Sequence, residues 1–118
     1  MTMRIVRVVP ILAVDDIESA VHTYRDVLGM VEVTRLDWLV TLSDSRDMRR
    51  QIGITTRDPS APCNPQVSIQ VDDVDDAYNA ATEAGVEIIY PLTDEPWGSR
   101  RFFFADAAGT IVNVLSAR

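Results

Sequence analysis

Val14-Asp15-Asp16-Ile17, which leads through a helical pattern to Gly29, and Val71-Asp72-Asp73-Val74, which leads through another to Gly85, decide the fold of this chain. Aligned on the second Asp of each motif, the two stretches stand 57 positions apart. Each glycine opens an apolar run, Met30-Val31-Glu32-Val33 in the first copy and Val86-Glu87-Ile88-Ile89 in the second. A unit written twice in one chain predicts pseudo-twofold symmetry, and the cleft where two copies meet is a natural place for a ligand.

The elements follow outward from these motifs. Residues 5–14 are rich in Ile and Val, a strand pattern, and stop at Asp15-Asp16, where a carboxylate can accept the free N–H groups of a first helical turn. Ile17, Ala20, Val21, Tyr24 and Leu28 then share one face at helical spacing, and Gly29 supplies a left-handed C-terminal cap. Val74, Ala77, Tyr78 and Ala81 repeat the stripe before Gly85. Strand-like runs follow at 30–36, 38–43 and 51–56 in the first half and at 86–90, 101–105 and 110–115 in the second. Each half therefore reads βαβββ, with halves at about 1–57 and 66–118. A connector at 58–65 carries three prolines and can continue neither strand nor helix. Ser43–Arg50 reads as a turn, and Ala107-Ala108-Gly109 as a tight turn between the last two strands.

A chain of 118 residues, 47% of them hydrophobic, fits one domain over 1–118 that buries roughly two-thirds of its unfolded surface. No segment approaches the roughly 20 apolar residues that span a bilayer. The run Met3–Pro10 carries Arg4 and Arg7 without a cleavage-site pattern, so the expectation is a soluble cytoplasmic protein. Cys63 is the single cysteine and sits among prolines, so no internal disulfide forms. A net charge of −7 argues against nucleic acid and anionic membranes and leaves cationic small molecules or partners open. All eleven basic residues are arginines, which excludes Schiff-base chemistry on lysine.

Pro10-Ile11-Leu12-Ala13-Val14-Asp15-Asp16 and Tyr24-Arg25-Asp26-Val27-Leu28-Gly29 resemble the opening of the vicinal oxygen chelate superfamily, the glyoxalase, bleomycin-resistance and extradiol-dioxygenase group. Trp97-Gly98-Ser99-Arg100-Arg101-Phe102-Phe103-Phe104-Ala105-Asp106-Ala107-Ala108-Gly109 is similar to its closing hairpin. The resemblance covers nearly the whole chain. It implies an α+β fold of two tandem βαβββ units, forming cupped mixed sheets with helices on the outer face. It also implies a homodimer, with cups paired within a chain or across the dimer.

The family's metal is held by His or Glu residues, one each from the first and fourth strand of each half. Carried onto this chain, those positions are Val9 and Gln66 on the first strands and Gly53 and Asn113 on the fourth. None is a ligand of the usual kind, and one His and one Cys cannot furnish the donors that Fe, Mn, Zn or Ni need. The expectation is no metal, no cofactor and no catalytic residue. His22 lies off the apolar stripe of its helix and reads as solvated; the paired aspartates read as helix caps rather than calcium ligands.

If residues 9, 53, 66 and 113 still face the cup, alternation places Ile11 and Ala13 beside Val9, Ser68 and Gln70 beside Gln66, and Ile111 and Leu115 beside Asn113. Gln66 and Asn113 each offer a donor and an acceptor, for a ligand or for the neighbouring strand. The resemblance turns Arg101 and Phe103 inward, Phe103 to stack on a planar ligand and Arg101 to pair with an acidic group. Phe102 and Phe104 are left for the core. Trp97 would close over the pocket or pack at a dimer interface, and Trp38 has no fixed sense. Arg46, Arg49 and Arg50 form a basic turn, either solvated or a clamp for an acidic group.

Three functions follow from these features. The first is a metal-independent protein resembling the bleomycin-resistance branch, which sequesters an aromatic or cationic drug-like molecule through Val9, Trp38, Gly53, Gln66, Trp97, Arg101, Phe103 and Asn113. The second is a metal-dependent enzyme of the glyoxalase or dioxygenase kind. The third is a structural or regulatory module whose cup is filled by its own side chains or by a partner.

Overall fold

The structure, a computed structural model, describes residues 3–117. Its elements run β1 (Ile5–Ala13), α1 (Ile17–Leu28), β2 (Val31–Leu36), β3 (Leu39–Ser43), β4 (Gln51–Thr55), β5 (Val67–Val71), α2 (Val74–Ala84), β6 (Glu87–Asp94), β7 (Ser99–Ala105) and β8 (Ile111–Ala117). The fold is α+β, and βαβββ occurs twice. Two compact units emerge: Val9–Asn64, and the described residues of Met1–Val8 with those of Pro65–Arg118.

In Val9–Asn64 the strands lie in the order β2-β3-β4-β1, antiparallel except for the β4–β1 pair, which is parallel. The other unit repeats the plan as β6-β7-β8-β5, with β5 and β8 parallel. Matching registers carry the repeat into backbone pairing: Ile11 faces Gly53, and Ser68, 57 residues after Ile11, faces Asn113.

Both helices start and stop as the motifs predict. Asp16 accepts a hydrogen bond from Ser19 N at 3.2 Å, Asp73 one from Asp76 N at 3.0 Å, and Gly29 and Gly85 cap the C-termini at φ of 68° and 74°. Only the second aspartate of each pair caps. Asp72 instead accepts from Arg4 N at 2.8 Å while its own N–H donates to Arg4 O at 3.1 Å, tying the start of β1 to the end of β5.

Each helix covers one face of its sheet. Ile17, Ala20, Val21 and Tyr24 of α1 pack with Leu12, Val40, Leu42 and Ile54. Val74, Ala77, Tyr78 and Ala81 of α2 pack with Val71, Phe102, Phe104, Val112 and Val114. Leu28 departs from the predicted stripe and is 66% exposed, because Met30, not the last helical turn, closes that end of the cluster.

Strand bounds depart furthest from the sequence reading in the last three strands, where β8 reaches Ala117. β6 runs through Pro91 to Asp94, and β7 starts at Ser99. Proline is tolerated there because β6 is an edge strand of its sheet, paired with β7 alone, and its register slips between Ile88 and Tyr90 and again between Tyr90 and Thr93.

Candidate functional site

Period-two alternation gives each sheet a second face, opposite its helix. In the unit holding α2, that face carries Ser68 and Gln70 of β5, Asn113 and Leu115 of β8, and Arg101 and Phe103 of β7, in cross-strand pairs Ser68–Asn113, Gln70–Leu115, Phe103–Asn113 and Arg101–Leu115. Asn113 is 6% exposed, and its Nδ2 donates to Ser68 Oγ at 3.0 Å. Its Oδ1 is buried with no hydrogen-bond partner. A buried amide oxygen left unsatisfied costs on the order of 1–3 kcal/mol, so this acceptor asks for a donor.

Gln66 serves the backbone. Its Oε1 accepts from Ile111 N at 2.9 Å and its N–H donates to Ile111 O at 2.9 Å, so the side chain extends the β5–β8 ladder while the residue stays exposed.

Around Arg101 the structure assembles a box that periodicity alone did not disclose. Arg101 Nε donates to Glu95 Oε2 at 2.5 Å, with both side chains about 5% exposed or less. The guanidinium carbon lies 4.9 Å from the Phe103 ring centre, 5.0 Å from Trp97 and 5.4 Å from Tyr90, within cation–π range of all three. Tyr90 OH donates to the same carboxylate at 3.2 Å, and its ring meets Phe103 edge-on at 5.2 Å. Phe103 is wholly buried, whereas Trp97 keeps part of its surface open.

Glu95 and Tyr90 were missed because neither stands in a periodic pattern. Glu95 sits in the turn between β6 and β7, held by Glu95 N to Ser99 O at 2.7 Å and Gly98 N to Glu95 O at 3.2 Å, with Gly98 at φ 100°. The one available signal was an acidic residue immediately before Pro96-Trp97-Gly98 and close to Arg101.

In Val9–Asn64, Val9 is buried and Gly53 lies opposite Ile11. A Cβ built on Gly53 would come within 2.7 Å of Ile11 Cδ1 and 3.4 Å of Leu39 Cδ1, so the floor there is already filled. Trp38 stands half-buried in the turn before β3, where its carbonyl accepts from Thr56 N at 3.0 Å and Thr55 Oγ1 at 2.9 Å. Arg49 and Arg50 of the basic turn pair with Asp47 at 2.9 and 3.5 Å. The hydrogen bonds from Arg49 hold the Asp47 carboxyl down to about 2. His22 is exposed on α1 beside Arg25.

The four positions at which the resemblance implies metal ligands do not fit a metal. Val9 and Gly53 have no donor atom, the Gln66 oxygen is committed to a backbone N–H, and Asn113 offers a neutral amide. Among the described residues no group of three or more His, Cys, Asp or Glu is placed to hold an ion.

The sequence matches the Glyoxalase family, described as the Glyoxalase/Bleomycin resistance protein/Dioxygenase superfamily, over residues 4–114, and the chain belongs to that superfamily. Among solved structures it is similar to methylmalonyl-CoA epimerase from Mycobacterium tuberculosis, at 22% identity and TM-score 0.77 over 100% of this chain and 92% of that one. A glyoxalase/bleomycin resistance protein/dioxygenase superfamily member from Vibrio splendidus 12B01 aligns at 22% identity and TM-score 0.70, over 96% and 99% of the two chains. The Mn(II)-bound glyoxalase from Novosphingobium aromaticivorans aligns at 20% identity and TM-score 0.68, over 97% of this chain and 40% of that one. Likeness at these identities is a likeness of fold. No curated protein matches the chain. No helix among the described residues is long and apolar enough to cross a membrane.

Proposed function

We propose that this chain is a metal-independent small-molecule-binding protein that sequesters an aromatic or cationic drug-like ligand, in the manner of the bleomycin-resistance branch, as a cytoplasmic homodimer. The observation that carries the reading is the buried, unsatisfied Asn113 Oδ1 at the position where the resemblance expects a chelating glutamate. It replaces an anionic donor for a cation with a neutral acceptor for an N–H or O–H. Amide, amine and amidine groups supply such a proton, and the net charge of −7 raises the local concentration of the cationic ones. The open part of Trp97 offers a flat surface to a planar ring. On the sheet face that carries Asn113 the proposed contacts also include Gln66, Arg101 and Phe103, and in the unit Val9–Asn64 they are Val9, Trp38 and Gly53.

Likeness to a Mn(II)-bound glyoxalase keeps an enzymatic reading in view, in which a metal polarises the substrate. Scanning fluorimetry of chelator-dialysed protein separates the two. The probes are metal-free bleomycin, ethidium and 2-naphthamide in EDTA, then Mn(II), Ni(II) and Zn(II) without EDTA. A ligand at 100 times its Kd adds about 2.7 kcal/mol and raises Tm by several degrees in a domain of this size. The binding reading expects such a shift from at least one organic probe in EDTA. Stabilisation by a metal alone supports the enzymatic reading, and a flat response to every organic probe removes the first.

A further inference from the structure

We infer that Glu95 is a specificity-determining residue: by holding the Arg101 guanidinium inside an aromatic box, it makes the inner face of β7 and β8 a site for neutral and cationic ligands that rejects carboxylates. The inference rests on the metal-free binding reading and adds to it the charge class of the ligand.

An inward arginine on a strand beside a candidate ligand acceptor would ordinarily read as a carboxylate clamp, since a guanidinium forms charge-assisted pairs with acidic groups. Three observations turn that expectation around. First, Arg101 already donates to a carboxylate of its own chain at 2.5 Å, and neither side chain is more than about 5% exposed. Second, the planar cation is flanked by Phe103, Trp97 and Tyr90 at 4.9, 5.0 and 5.4 Å, so the guanidinium already has aromatic partners within its own chain. Third, Glu95 is fixed from two further sides, by the Tyr90 hydroxyl at 3.2 Å and by the turn bond from its own N–H to Ser99 O at 2.7 Å. An external carboxylate would have to compete with one that is preorganised and intramolecular, which carries a high effective concentration. It would also approach the negative charge of Glu95 in a poorly solvated place, where like charges repel strongly. A neutral N–H donor directed at Asn113 Oδ1 meets neither obstacle.

The test compares 2-naphthoate, 2-naphthamide and 2-naphthamidine, which share a ring and differ in charge, by calorimetric titration of the full chain in EDTA at low salt. The wild-type protein is expected to bind the amide and the amidine at least tenfold more tightly than the carboxylate. Glu95→Gln keeps an oxygen acceptor for Arg101 and Tyr90 but withdraws the counter-charge. It is expected to bind 2-naphthoate at least tenfold better than wild type, and this gain should vanish in the double variant Glu95→Gln/Arg101→Met. Equal wild-type affinity for naphthoate and naphthamide overturns the assignment, and that arm needs no variant to fold. A folded Glu95→Gln protein with no gain for naphthoate overturns it as well. Loss of binding of all three probes by wild type would instead strike the binding reading itself, while the naphthoate gain in Glu95→Gln would still decide the role of Glu95.

Discussion

Asn113 combines a satisfied amide nitrogen with a buried amide oxygen that has no partner. Replacing it with an apolar side chain therefore removes an unfavourable group together with one ordinary hydrogen bond, the one to Ser68. Those terms are about 1–3 and about 1 kcal/mol, so Asn113→Leu should leave Tm unchanged or higher while weakening 2-naphthamide at least tenfold. A lower Tm with unchanged binding would make Asn113 structural. Gly53 poses the opposite question, whether an empty position tolerates an atom. The neighbour at 2.7 Å is the far end of the Ile11 side chain, which can turn away, and alanine restricts the unfolded chain. Gly53→Ala should therefore change unfolding free energy by no more than about 1 kcal/mol, whereas Gly53→His, with a ring to place, should lose about 3 kcal/mol by overpacking. Urea denaturation measures both. At this scale the sequence was partly legible. The resemblance pointed to Val9, Gly53, Gln66 and Asn113, but no pattern of spacing tells which oxygen finds a partner. Gln66 and Asn113 read alike as amides, and only the register of β5 on β8 gives Gln66 a backbone N–H and leaves Asn113 without one.

At the scale of elements the two copies test each other. Asp16 and Asp73 cap α1 and α2 through the same bond, so Asp16→Ala and Asp73→Ala should each cost about 1 kcal/mol in urea denaturation, with helical content otherwise kept. Tyr24, packed on its sheet by α1, is matched 57 residues on by Ala81. Beside Ala81 lies an apolar hollow of about 310 Å³ that also touches Ile69, Phe102 and Phe104. Ala81→Leu should fill part of it and raise stability by about 0.5–2 kcal/mol; a fall in Tm would show that the hollow cannot accept the added volume. The turn between β3 and β4 carries a pH signature. Asp47 has its carboxyl lowered from 3.8 to about 2, so the folded state favours its ionised form. The resulting stabilisation is present above pH 3.8 and disappears as pH falls toward 2. The difference in urea midpoint between wild type and Asp47→Asn should therefore be largest at pH 5 or above and close below pH 3.8; a difference that grew on acidification would contradict the pairing with Arg49. Helices were the most legible elements, since caps and stripes are local. Bounds of β6 were the least, because Pro91 halts a strand only where its missing N–H is needed, and edge position is a property of the sheet rather than of the local sequence.

For the molecule as a whole, the 57-residue repeat was legible from the caps and apolar stripes alone, and the match over residues 4–114 places the chain in its superfamily. What the repeat could not convey is the charge of the face proposed to bind a ligand. That depends on Glu95 and Tyr90 reaching Arg101 from a turn and from a bulged edge strand. The net charge of −7 adds a field that draws cationic ligands, so affinity for 2-naphthamidine should fall as salt rises from 20 to about 200 mM while affinity for 2-naphthamide stays nearly level. The most direct measurement of the central claim is calorimetric titration of chelator-stripped protein with 2-naphthamide, in EDTA and then with saturating Mn(II), Ni(II) or Zn(II) in its place. Metal-independent binding predicts the same affinity in both conditions and no stoichiometric heat from the metals alone. Binding that appears only once a metal is supplied would contradict it.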